Sequence, residues 1–348
     1  MLFLWLKKII MSKLLLLIKK RLYIFVSIAF VAALILGYYV PMKKIDIKPI
    51  SMFAVFLMLY PMLTGMAVEK VKKAGRHYKL IGLTLTFAFI ISSLTAFLLS
   101  RTVFVTQPEL ALAIIMVGAI PCSNMLIGWS GIADASIEDA LVIAVIGLLL
   151  IPFISPLIIK ISGGPLVPIN TGKLFLNLIL YIVIPLILGY ITRKTIIKTK
   201  GQKYFMHLKQ YFPGVSATGI LLIVFFSVAK VAPEVIKEPV VFLMVTGGLF
   251  FYYLIQTLLS VFAAKLFKLN YAQGMILVLG ATASSQAISL ALAATMFSSM
   301  TVFALSFKPI LQVLYIMFLI YGLGPKIKKY LERPALNTAT QTAKTSKL

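Results

Sequence analysis

The sequence predicts an all-α polytopic membrane protein of about ten transmembrane helices, arranged as two inverted five-helix repeats. Composition, the lengths of the apolar runs and an internal repeat carry that expectation. Of 348 residues, 61% are hydrophobic and only 12% charged, whereas a soluble domain carries roughly 45–50% apolar and about 25% charged residues. A water-soluble globule could not be covered with so little polar surface, which excludes a soluble enzyme, a disordered chain and a disulfide-rich secreted domain. The net charge of +25 would suggest nucleic acid in a soluble protein. Here the basic residues fall mostly between apolar runs, so they report topology, and no nucleic-acid partner is expected. The single cysteine, Cys122, cannot form an intramolecular disulfide, and the two histidines, His77 and His207, lie in basic loops. No cofactor or resident metal is expected.

Ten apolar segments run approximately over 22–41, 50–68, 80–100, 110–131, 140–159, 174–192, 213–232, 239–264, 274–297 and 302–324. Each can span the roughly 30 Å hydrocarbon core as a helix. They are about twice the length of a barrel strand and do not alternate. Residues 1–21 form a basic, amphipathic N-terminal segment, read as interfacial. It lacks a small-residue cleavage site, so it is not read as a signal peptide, and Met11 is an alternative start to Met1. The first repeat occupies 22–161 and the second 162–324; 325–348 is a polar cytoplasmic tail, expected to be disordered.

Alternate loops, counted from the N-terminus, hold 25 of the 34 basic residues, the opposite loops hold eight, and Lys308 lies within span ten. The positive-inside rule places both termini in the cytoplasm, with the protein in the plasma membrane. The acidic loop at 134–139 is an exception to this pattern.

The two halves resemble each other. Leu34-Ile35-Leu36-Gly37-Tyr38 of span one recurs as Leu186-Ile187-Leu188-Gly189-Tyr190 of span six. GAIPCSNM (118–125) of span four matches GATASSQA (280–287) of span nine, pairing Ser123 with Ser285 and Asn124 with Gln286. A repeat of five spans is odd, so the second copy enters the membrane inverted, an arrangement found in many secondary transporters.

Spans four and nine also concentrate the polar and helix-breaking residues. Gly118, Pro121, Cys122, Ser123, Asn124 and Gly128 lie in the first; Gly280, Thr282, Ser284, Ser285, Gln286 and Ser289 lie in the second. Glycine and proline free backbone groups, which a membrane tolerates only where they line a cavity or pack in protein. Half-helix N-termini suit anions and freed carbonyls suit cations. Close helix–helix packing by small residues is the alternative reading. The nine acids all lie at span ends or in loops, so no buried carboxylate relay is expected. Lys308, before Pro309, either snorkels to the headgroups or faces inward to attract an anion or stand in for a coupling ion. Cys122 is either packing or, as a thiolate, a soft ligand for a metalloid.

These residues bring out a family resemblance. Pro121-Cys122-Ser123-Asn124-Met125 with Trp129-Ser130 is similar to the span-four signature of arsenite efflux permeases, which belong to the bile acid/sodium symporter superfamily. Leu59-Tyr60-Pro61-Met62, Leu180-Tyr181-Ile182-Val183-Ile184-Pro185 with Gly189-Tyr190, and Lys308-Pro309-Ile310-Leu311-Gln312-Val313 resemble segments of spans two, six and ten. The resemblance covers about 40–325. It implies that spans four and nine are unwound and cross at the site, and that Cys122 is needed for efflux of arsenite or antimonite. It also implies that Ser123, Asn124 and Gln286 are ion ligands, as in the bile acid symporter branch.

The sequence departs from that pattern where coupling would occur. The arsenite permeases' span-nine glutamate has no counterpart in Ser285-Gln286-Ala287-Ile288, their span-ten glutamate is Gln312 here, and the glycine before their proline is Lys308. The span-nine glutamate of the sodium-binding branch would fall near Thr282, and span five offers an apolar run where that branch has polar ligands.

The expected function is therefore a secondary transporter for arsenite or a related arsenical, working by alternating access. Cys122, Ser123, Asn124, Ser284, Ser285, Gln286 and Lys308 would form its substrate site, and Gly118, Pro121 and Gly280 its helix breaks. H+ or Na+ would be the coupling ion. The alternative is an organic-anion transporter in which Lys308 and the helix ends hold a carboxylate or sulfonate. An enzyme is not expected, since no His, Asp or Glu lies at depth to act as base or metal ligand.

Overall fold

The structure, a computed structural model, describes residues 13–18, 21–40, 42, 48–65, 77–121, 124–237 and 239–332. After a short helical stretch at 13–18, twelve helices follow in order among the described residues. They are α1 (Leu22–Tyr39), α2 (Lys48–Thr64), α3 (Tyr78–Thr102), α4 (Pro108–Ala119), α5 (Asn124–Ile132) and α6 (Ile137–Gly163), then α7 (Thr171–Lys209), α8 (Phe212–Lys237), α9 (Pro239–Leu266), α10 (Tyr271–Thr282), α11 (Gln286–Met296) and α12 (Ser299–Leu331). Among the described residues the only β-type contact is one isolated bridge. Six of these helices, α3, α6, α7, α8, α9 and α12, contain stretches long and apolar enough to cross a membrane, while α1, α2, α4, α10 and α11 contain shorter apolar ones. The fourth apolar segment carries the helices Pro108–Ala119 and Asn124–Ile132, and the ninth the helices Tyr271–Thr282 and Gln286–Met296, broken at 283–285.

Helix starts follow local chemistry. The Ser136 side chain caps α6 by accepting from the Asp139 N–H, and Glu138 and Asp139 set negative charge against the positive end of the helix. Asn170 caps α7 through the Lys173 N–H, and Asn270 with Gln273 forms a reciprocal capping box on α10. The acidic loop thus serves the start of α6. Asp139 is buried and its carboxylate also meets His77 Nδ1 at 3.0 Å. One-residue expansions form π-helical turns at Phe87–Ile91 in α3, Ile179–Val183 in α7 and Phe318–Leu323 in α12.

Two expectations about loops are corrected. The basic stretch 193–209 continues α7 as helix, bent at Gly201, whose φ of 82° is open to glycine. Its lysines, arginine and glutamine are good helix formers in their own right. The tail expected to begin at residue 325 is helical to Leu331, because Ile327 and Leu331 turn inward and are buried. Residues 333–348, and residues 1–12 of the N-terminal segment, lie outside the described residues.

The helices pack in two groups. Helix α8 lies along both α1 and α2, and α7 lies against α2. In the other group α3 packs on α4, α5 on α6, α9 on α10, and α10 also touches α3 and α5. Helix α11 and the first turns of α12 join the groups, α11 against α2 and α12 against α8.

Candidate substrate site

The two broken segments meet. Pro121 and Ser284 form an antiparallel bridge, and the Ser285 N–H donates to the Ile120 carbonyl at 3.2 Å. Proline has no N–H to give and cannot continue the hydrogen-bond ladder of α4. The main chain at 120–121 is therefore available to pair with its counterpart.

The carbonyls released at the two breaks are collected by serines from neighbouring helices. Ser93 donates to the Gly118 carbonyl at 3.2 Å, Ser155 to Ala119 at 2.6 Å, and Ser92 to Ala281 at 3.0 Å. An unpaired carbonyl at membrane depth would cost several kcal/mol, so these hydroxyls let both helices end inside the protein. Gly118 and Gly280 bring the helices close enough for this. A Cβ on Gly118 would run into the Ser92 carbonyl, and one on Gly280 into the Thr84 methyl.

Span ten closes the arrangement. A turn at Phe307 restarts the helix at Lys308 with Pro309 in its first turn. Lys308 is wholly buried, with 0% exposure, which overturns the snorkelling alternative. Its ammonium donates to the Ser285 carbonyl at 2.9 Å and to Ser289 Oγ at 3.1 Å. Gln312 Oε1, one turn later, accepts from the Ser284 N–H at 3.3 Å. Ser285 caps α11 by accepting from the Ile288 N–H.

Of the expected site residues, Gly118, Pro121, Gly280, Ser284, Ser285, Gln286 and Lys308 all lie at or beside this junction. Cys122 and Ser123 lie outside the described residues, and Asn124 is described only as the first residue of α5. Four buried polar groups beside the breaks, Thr282 Oγ1, Ser284 Oγ, Gln286 Nε2 and Gln312 Nε2, have no hydrogen-bond partner among the described residues. Buried polar atoms are normally paired, so donors and acceptors are concentrated here in excess of what the described protein uses. Two helix N-termini, those of α5 and α11, begin at the same junction. Among the described residues no group of His, Cys, Asp and Glu could hold a metal ion. The sequence reading missed Ser92, Ser93 and Ser155. The signal available was a hydroxyl residue in an otherwise apolar helix, next to Pro156 in the case of Ser155.

Buried polar groups held at paired helix breaks within a polytopic helical protein are features of a membrane transporter. The family model for the sodium bile acid symporter family matches residues 52–239, and the chain belongs to that family. It is a transporter and not an enzyme. The chain is 29% identical over 205 residues to the arsenical-resistance protein Acr3 of Alkaliphilus metalliredigens, covering 55% of this chain and 57% of the relative. It is 22% identical over 297 residues to the arsenical-resistance protein Acr3 of Corynebacterium glutamicum, covering 80% of each. An uncharacterized sodium-dependent transporter of Bacillus subtilis, YocS, is 24% identical over 193 residues, covering 56% of this chain and 58% of the relative. The chain thus spans a little over half the length of the Alkaliphilus and Bacillus relatives.

Proposed function

We infer that the protein exports arsenite, or a closely related trivalent arsenical, across the plasma membrane by alternating access. The main-chain junction between Pro121 and Ser284 carries this reading, because Cys122 follows Pro121 in the sequence as Ser285 and Gln286 follow Ser284. In the proposal Cys122 is the soft ligand that coordinates arsenic, its thiol proton leaving with one arsenic hydroxyl as water. Ser123, Asn124, Ser284, Ser285 and Gln286 hydrogen-bond the remaining hydroxyls of the uncharged solute. The kinship to two arsenical-resistance proteins supports the substrate class.

The proposed architecture is ten spans in two inverted five-helix repeats, 22–161 and 162–324, with both termini cytoplasmic. The repeated Leu-Ile-Leu-Gly-Tyr pentapeptides support it. A Cβ on Gly37 of α1 would lie 2.6 Å from the Ala229 Cα of α8, and one on Gly189 of α7 would lie 2.8 Å from the Thr64 backbone nitrogen of α2. Each repeat's first helix therefore leans on the other repeat's second helix, as intertwined inverted repeats require. Rocking of the α1, α2, α7 and α8 group against the rest would expose the junction alternately to the two sides.

The test is arsenite accumulation in arsenite-sensitive cells expressing the protein or its Cys122→Ser variant. The reading expects lower accumulation than in empty cells, lost on substitution. Accumulation equal to that of empty cells, with membrane expression verified, would sink it. A second reading, an organic-anion transporter, draws on Lys308 at the N-terminus of α11. Saturable uptake of a carboxylate or sulfonate that survives Cys122→Ser would favour it.

A further inference from the structure

The ammonium of Lys308 occupies an unusual position for a basic group at a helix break. It binds the carbonyl of Ser285 and the hydroxyl of Ser289, two oxygens one turn apart at the start of α11. Ser289 Oγ itself donates to the same Ser285 carbonyl at 2.6 Å, so all three atoms are held together. Backbone carbonyls and hydroxyls are also what a hard alkali cation selects in place of water. Sodium carries one positive charge, as does an ammonium, which presents that charge through three donors.

A sodium ion at this break would need oxygens that the lysine already holds. It would also sit against a like charge at short range in a site wholly removed from water, where Coulomb repulsion is strong. Among the described residues, those hydrogen-bonded at this break, Ser284, Ser285, Ser289 and Gln312, bring no carboxylate. The residues present therefore do not fit the sodium that the family's name implies.

We propose that Lys308 is a tethered cation that takes the place of a sodium ion at the span-nine break, so that the protein works without sodium. The proposal rests on the transport reading only in treating this break as the place of a coupling ion. Pro309 and the turn at Phe307 start the helix at Lys308, which delivers the side chain to α11. Gln312, on the same face of α12, fixes Ser284 beside it. The amino group is thus built into the chain and cannot leave it as a sodium ion would.

The test uses the full-length purified protein in detergent, with thermal unfolding followed in sodium chloride and in choline chloride at equal ionic strength. Wild type is expected to unfold at the same temperature in both. Lys308→Ala and Lys308→Met (close to lysine in volume) are expected to gain a saturable, sodium-specific stabilisation of roughly 2–4 °C, the size mass action gives when the ion exceeds its Kd several-fold. A saturable sodium response in wild type would overturn the proposal, and so would two folded variants that gain none. The wild-type comparison decides alone if neither variant folds. Indifference to sodium in this assay, together with no arsenite transport in cells, would remove the arsenite reading and leave the tethered cation standing. Arsenite efflux that stops in sodium-free medium would do the reverse.

Discussion

Ser155 donates its hydroxyl to the carbonyl of Ala119 at 2.6 Å, across from α6 to the last turn of α4. Both residues are buried, and the bond takes up one of the carbonyls that the end of α4 leaves without a helical partner. Ser155→Ala is expected to cost about 1–3 kcal/mol, the desolvation penalty of an orphaned buried acceptor. Ser216→Ala is the control. Ser216 is also buried, but its hydroxyl has no partner among the described residues, so its loss should be close to neutral. A melting-temperature difference between the two variants checks this; equal values would refute the assigned role of Ser155.

Gln312→Met keeps the volume of the side chain and removes the acceptor for the Ser284 N–H. The expected result is a loss of about 1–3 kcal/mol in stability, with transport reduced at unchanged membrane level. Transport equal to wild type would mean that Gln312 does not hold the ninth-segment break in its working position.

Gly37 and Gly189 are each pressed against a neighbouring backbone, while nothing lies within 4 Å of a Cβ built on Gly82. Gly37→Ala and Gly189→Ala are expected to destabilise by about 1–3 kcal/mol through overpacking. Gly82→Ala, on an exposed face of α3, should be neutral or up to about 1 kcal/mol stabilising, from helix propensity. Expression level and detergent melting temperature together separate the two outcomes.

A chain ending at Glu332 is expected to fold better than one ending at Gly324. The shorter chain loses buried Ile327 and Leu331, each contributing roughly 1.5–3 kcal/mol. Size-exclusion profiles of the two truncations would show it. Similar monodisperse yields from both would contradict the packing of the last turns of α12.

The apolar helices and the helix ends within the fourth and ninth segments were legible in the sequence because they follow from one-dimensional properties: run length, glycine and proline. Lys308 stood out as a charge inside an apolar segment. Whether it snorkelled or turned inward depended on Ser285 and Ser289, 23 and 19 positions away and visible as partners only once the chain is folded. The serines of α3 and α6 were invisible for a related reason. A hydroxyl in an apolar helix looks the same whether it bonds its own preceding turn, as Thr95 does to Ile91, or another helix, as Ser155 does. The helical continuations beyond 193 and 325 were missed because charge was read as loop, although lysine and arginine favour helix once a stable helix precedes them.

The junction between Pro121 and Ser284 is made from main-chain atoms. A joint of that kind needs Pro121, the close-packed glycines and Gln312, but no bond from the other side chains it carries. In the proposed mechanism the flanking residues are exchangeable, thiol for hydroxyl or amide for acid, without dismantling the junction beside them. Specificity in such a protein is an interchangeable fitting on a fixed mount, which is how kindred chains could share one mechanical frame and still handle chemically unlike cargo.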